Sequence, residues 1–91
     1  MKAVNPIVSL FGKLAVYLLV VVQESADKVM FAFRSSRRYN RAVVRQKDNG
    51  LFDMVIFKEV RGNRKNCTIY TDVDKDTMVS EFERETGVIC R

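Results

Sequence analysis

The chemistry this chain could perform lies in its arginines and lysines, which are concentrated. The segment RSSRRYNRAVVRQK, Arg34 to Lys47, holds six cationic side chains and no carboxylate. In a helix, Arg34, Arg38, Arg41 and Arg45 recur at spacings of four, three and four and share one face. In a strand, Arg37, Arg41 and Arg45 share a face by the period of two. Either geometry predicts a stripe of guanidinium groups. A guanidinium grips phosphate through a planar, bidentate fork and stacks on bases, whereas an ammonium acts as a point charge. Tyr39, inside the stripe, is expected to supply a stacking surface for a base. Lys47 closes the segment, and Lys58, Arg61, Arg64 and Lys65 form a second basic segment that would extend the nucleic-acid surface.

Other chemistries have little to build on. The chain has no histidine, so it lacks the usual neutral-pH general base and the commonest zinc ligand. The four glycines are scattered and form no phosphate-binding loop. A nucleophile such as Ser35, Ser36 or Cys67 would need a lysine or carboxylate base, and the spacing identifies none. The run from Asp72 to Glu83 has the D-x-D-x-D start of a calcium loop, but Thr77 stands where that loop needs glycine. Helix capping and dipole complementation account for these acids, so no metal and no cofactor is expected. Cys67 and Cys90 are too few for a disulfide framework and lack metal-ligand spacing. They are read as reduced thiols of a cytoplasmic protein, with a single bridge between them as the alternative.

The elements that must position the cations come from pattern. The 91 residues suffice for one core, and 47% apolar with 30% charged residues describes a globular chain. The net charge of +5 is uneven: residues 1–50 carry nine Lys/Arg against three Asp/Glu, residues 51–91 seven against eight. Asn5-Pro6 reads as a helix start, with Ile7, Leu10, Phe11 and Leu14 at helical spacing and Gly12 weakening the run. Leu14 to Val22 is nine apolar residues long, short of the ~20 that a membrane-spanning helix needs. It also lacks a small-x-small cleavage site after it. Its β-branched end, Val20 to Val22, predicts a central strand buried on both faces. Strands are also predicted over Lys28–Ser36, Leu51–Val60 and Cys67–Val73, the last with Cys67, Ile69, Thr71 and Val73 on one face. Asp74 or Asp76 would cap a C-terminal helix that buries Met78, Val79 and Phe82 and stops at Gly87.

Residues 36–48 are open to two readings. Ser35 or Ser36 can cap a helix there, giving a ββα-ββα order. Alternatively Arg41–Lys47 is a strand that turns at Asp48-Asn49-Gly50 into the next one, and Val43 with Val44 favours this. The expected fold is therefore α+β: one domain over residues 1–91, with an antiparallel sheet of four to five strands flanked by an N-terminal and a C-terminal helix. The expected function is non-enzymatic binding of a polyanion, RNA or DNA, by the Arg-rich stripe. The alternatives are three: a small protein-interaction regulator or inhibitor of a larger protein, resembling viral accessory proteins in composition only; a homodimer; and peripheral binding to anionic membrane, with Phe11 or Tyr17 inserting. Acidic Glu81, Glu83 and Glu85 compete with any of these partners for the arginines.

Overall fold

The computed structural model describes residues 5–34 and 36–90; Ser35, a candidate cap and nucleophile above, lies outside them. Asn5 caps the chain's first helix, its side-chain oxygen accepting from the Ile7 and Val8 amides at 2.9 and 3.3 Å, with Pro6 in the first turn. This helix, α1 (Pro6–Ser9), is a single turn. Gly12 follows at φ 132°, a conformation closed to most L-residues, and breaks it from α2 (Ala15–Leu18). The strands are β1 (Val20–Glu24), β2 (Lys28–Ala32), β3 (Arg41–Gln46), β4 (Phe52–Val60) and β5 (Asn63–Val73), and α3 (Lys75–Thr86) follows them. The protein is a single α+β domain whose five strands form an antiparallel sheet in the order β1-β2-β3-β4-β5.

Turn chemistry sets the register. At β3–β4, Gly50 at φ 82° and an Asn49 side chain that accepts from the Leu51 amide close the bend predicted by Asp-Asn-Gly. At β4–β5, Val60 faces Asn63 across Arg61 and Gly62, both at positive φ, a two-residue turn matched to strand twist. Residues 36–48 follow the hairpin reading. Ser36 does make a cap-like turn, accepting from the Arg38 and Tyr39 amides, but β3 follows it rather than a helix. Val43 and Val44 fit a pleated strand between two neighbours better than a helix turn.

The register stacks side chains in rows. Val29–Val44–Met54–Tyr70 and Phe31–Ala42–Ile56–Thr68 lie on the face covered by the helices. Phe11, Phe31, Phe33 and Phe82 meet there, with centroids 5.1–5.7 Å apart in edge-to-face pairs between α1's end, the sheet and α3. Asp74 caps α3 by accepting from the Thr77 amide at 2.7 Å. Gly87, at φ 75°, ends it, so that Val88 and Cys90 fold back into the core. The other face of the sheet carries Met30–Val43–Val55–Ile69, flanked by Arg41 with Phe57 and by Lys28, Arg45 and Asp53.

Two sequence expectations fail. Val20–Val22 is not central: among the described residues β1 has β2 as its one strand neighbour, and all five β1 residues are exposed. Of Leu14–Val22 only Ala15 and Leu19 are buried. Val73 does not share a face with Ile69. Asp72 at φ 55° bulges the strand and turns Val73 onto the core, leaving Cys67, Ile69 and Thr71 exposed.

Candidate functional site

An antiparallel meander brings alternate connections to the same end of the sheet. The β2–β3 loop and the β4–β5 hairpin therefore lie together, and these are the two basic segments. Asn40 fastens them. Its side chain accepts from the Glu59 amide at 2.7 Å and donates to the Glu59 carbonyl at 3.0 Å, while its backbone joins Phe33 and Phe57. Lys58 adds a bond from Nζ to the Arg37 carbonyl at 3.0 Å. The result is an end of the sheet bearing Arg34, Arg37, Arg38, Lys58, Arg61, Arg64 and Lys65, all exposed except the half-buried Lys58. None of these seven forms an ion pair with another described residue. The neighbouring Glu59 is taken by Arg41, at 3.2 Å. Arg64 lies 4.4 Å over the ring of Phe57, a residue buried on the sheet's other face beneath it.

The expected stripe along 34–47 is divided. Arg41 and Arg45 do share a face of β3, but Arg37 stands in the loop before the strand begins. Arg45 and Lys47 lie at the opposite end, among acids. Arg45 pairs with Asp27 at 3.6 Å, and Lys47 pairs with Asp72 and, at 3.7 Å, with Asp53. The bond to Asp72 holds the Lys47 ammonium above the usual lysine range. A groove at that end is lined by Asp27, Lys28, Val43, Arg45, Asp53 and Val55, with charges of both signs. Arg45 and Lys47 thus lie apart from the basic end.

Tyr39 is a second correction. It is 1% exposed, in the core, with its hydroxyl bonded to Thr68 Oγ1 at 2.9 Å and donating to Glu85 at 3.2 Å. No ring face is left for a base, and Arg38, 5.5 Å from the centroid, packs over it. Sequence reasoning missed Asn40, which ties the two basic segments together, and Phe57, whose ring lies under Arg64. The signal for Asn40 was weak: one polar residue between Tyr39 and the valine-rich strand.

The C-terminal acids are engaged elsewhere. Arg84 binds Glu81 and reaches Glu85 at 3.2 Å, and Glu85 also accepts from Tyr70 at 3.1 Å. Burial, then the bond to Glu85, pushes the Tyr70 hydroxyl up to about 12. The three aspartates of the D-x-D-x-D run are divided: Asp72 binds Lys47, Asp74 caps α3 and Asp76 sits in its first turn. Cys67 is exposed on β5 and Cys90 buried, with no bridge between them, and burial pushes the Cys90 thiol up to about 11. Among the described residues no helix is long and apolar enough to cross a membrane. No protein-family model, curated protein or solved structure matches the chain.

Proposed function

We propose that this chain is a non-enzymatic module that binds a polyanion, RNA or DNA, with the basic end of its sheet. The observation that carries the reading is the convergence of seven cations from two separate segments, none of them neutralised by a described carboxylate. Arg34, Arg37, Arg38, Arg61 and Arg64 supply bidentate forks for phosphate, and Lys58 and Lys65 add point charge. Arg64, backed by Phe57, offers a flat cationic surface for a sugar or base. Contacts to phosphate carry no sequence information, so the reading is of affinity with low sequence preference. Arg41, Arg45 and Lys47 are not contacts in this scheme. It needs no cofactor, and it has the chain act in the cytoplasm.

Fluorescence anisotropy with labelled single-stranded RNA and duplex DNA tests it. If six phosphates are engaged, log affinity falls against log salt with a slope of about −4 for a single strand and about −5 for a duplex. Arg37→Glu, Arg38→Glu and Arg61→Glu together abolish binding, while Arg45→Glu leaves most of it. Absence of binding to either nucleic acid at low salt sinks the reading. A protein-interaction role is the second reading, and its own observation is the exposed apolar surface of α2 and β1.

A further inference from the structure

The sheet has two edges, and they are built differently. β5 begins with exposed Arg64 and Lys65, breaks register twice and carries positive-φ residues at Asn66 and Asp72. Charges and bulges are how proteins keep an edge from pairing with another chain. β1 is guarded less: it has one bulge, between Val21 and Gln23, and no cation. Val20, Val21, Val22 and Gln23 are uncharged and exposed, and the bulge of this strand adds an apolar side chain, Val22, at 54% exposure. The carboxylate of Glu24 is held by the Asn5 side chain at 2.6 Å. Immediately before β1, α2 presents Val16, Leu18 and Tyr17, the last 81% exposed. With Leu14, these side chains expose apolar surface on the order of 500 Å², spread over both sides of the edge, since Val20 stands in the row of Ala32 and Val21 in that of Phe31.

We infer that β1 is the dimer interface of this protein, pairing antiparallel with β1 of a second copy about a two-fold axis. A second strand can pair the outer backbone groups of β1, which otherwise bond to water. A lipid surface cannot, since unpaired backbone groups are excluded from hydrocarbon. The strand is self-complementary in charge. A two-fold placed anywhere from Val20 to Gln23 sets each Glu24 against an uncharged residue of the other copy, so no like charges meet. If both copies bury these side chains completely, the interface reaches about the 1,000 Å² that a specific one requires. This inference is independent of polyanion binding, whose residues lie on other elements.

Sedimentation velocity of the full chain over a concentration range reads the association. The expected result is a monomer–dimer equilibrium that Val20→Lys and Val22→Lys each weaken at least tenfold. Ile69→Lys, on the other edge, leaves it unchanged. Both β1 side chains are exposed, so circular dichroism is expected to show the variants folded. In the unmodified protein, amide exchange across β1 slows as concentration rises. A monomer at every concentration overturns the inference. So does a dimer indifferent to both β1 lysines, a dimer equally sensitive to Ile69→Lys, or a monomer that sediments with phosphatidylserine vesicles through Tyr17.

Discussion

Replacing Asn40 by alanine tests whether one side chain holds the basic end together. The substitution removes two hydrogen bonds, to the amide and the carbonyl of Glu59, while the backbone bonds of Asn40 to Phe33 and Phe57 survive. Each bond contributes about 1 kcal/mol net, and the Glu59 groups left behind are half-buried, so the loss is about 2 kcal/mol in all. In a domain this small that lowers Tm by roughly 8–16 °C. Asn49→Ala is the control: it removes one exposed bond at the opposite end and costs about 1 kcal/mol or less. Thermal melts followed by circular dichroism compare the three proteins. Under the proposed function, Asn40→Ala also weakens nucleic-acid binding without changing its salt slope, because every cation remains and only the positioning is lost. A Tm within about 3 °C of the unmodified protein would refute the bracket. A changed salt slope would refute the claim that Asn40 acts by position alone.

Other changes have directions that follow from the same geometry. Asp74→Ala removes the α3 cap and lowers Tm. The bonds from Thr77 lower the Asp74 carboxyl below its ordinary 3.8, so its contribution is present above that pH and fades as pH falls further; Asp74→Ala flattens this acid limb in a pH series of melts. Tyr70 has the opposite sign. Its folded value of about 12 lies above the ordinary 10.0, so the stability it adds is full below pH 10 and is lost as pH rises toward 12; Tyr70→Phe removes that part of the alkaline slope. Thiol labelling of the native protein modifies exposed Cys67 quickly. Cys90, buried and raised to about 11, reacts at least about a hundredfold more slowly until the chain unfolds.

Much of the fold was legible because its signals are local. Asn5-Pro6, Asp74 and Gly87 start and stop helices through bonds to residues three or four positions away, and Asp-Asn-Gly bends β3 into β4 through its own backbone preferences. The alternation of Phe52, Met54 and Ile56 with Asp53 and Val55 shows which face of β4 is buried. The candidate site was legible only in part. Composition located the cations, and Arg34, Arg37 and Arg38 did end up beside Arg61, Arg64 and Lys65. Tyr39 misled, because an aromatic amid arginines reads as a stacking group unless its burial is known.

The sequence by itself determined most element types, though not that of residues 36–48, and with them the Asp-Asn-Gly turn and the positive charge of the first half, all set by neighbours along the chain. Only the tertiary structure decided which charges stay free. Lys47 is neutralised by Asp72, 25 residues away, and Arg45 by Asp27 across the sheet, while the meander gathers Arg34, Arg37, Arg38, Lys58, Arg61, Arg64 and Lys65 where no described carboxylate pairs with them. It likewise put the most apolar run, Val20 to Val22, on an open edge. Hydrophobicity states that a strand gains by being covered, but the cover must come from a neighbour, and strand order alone determines whether this chain supplies one.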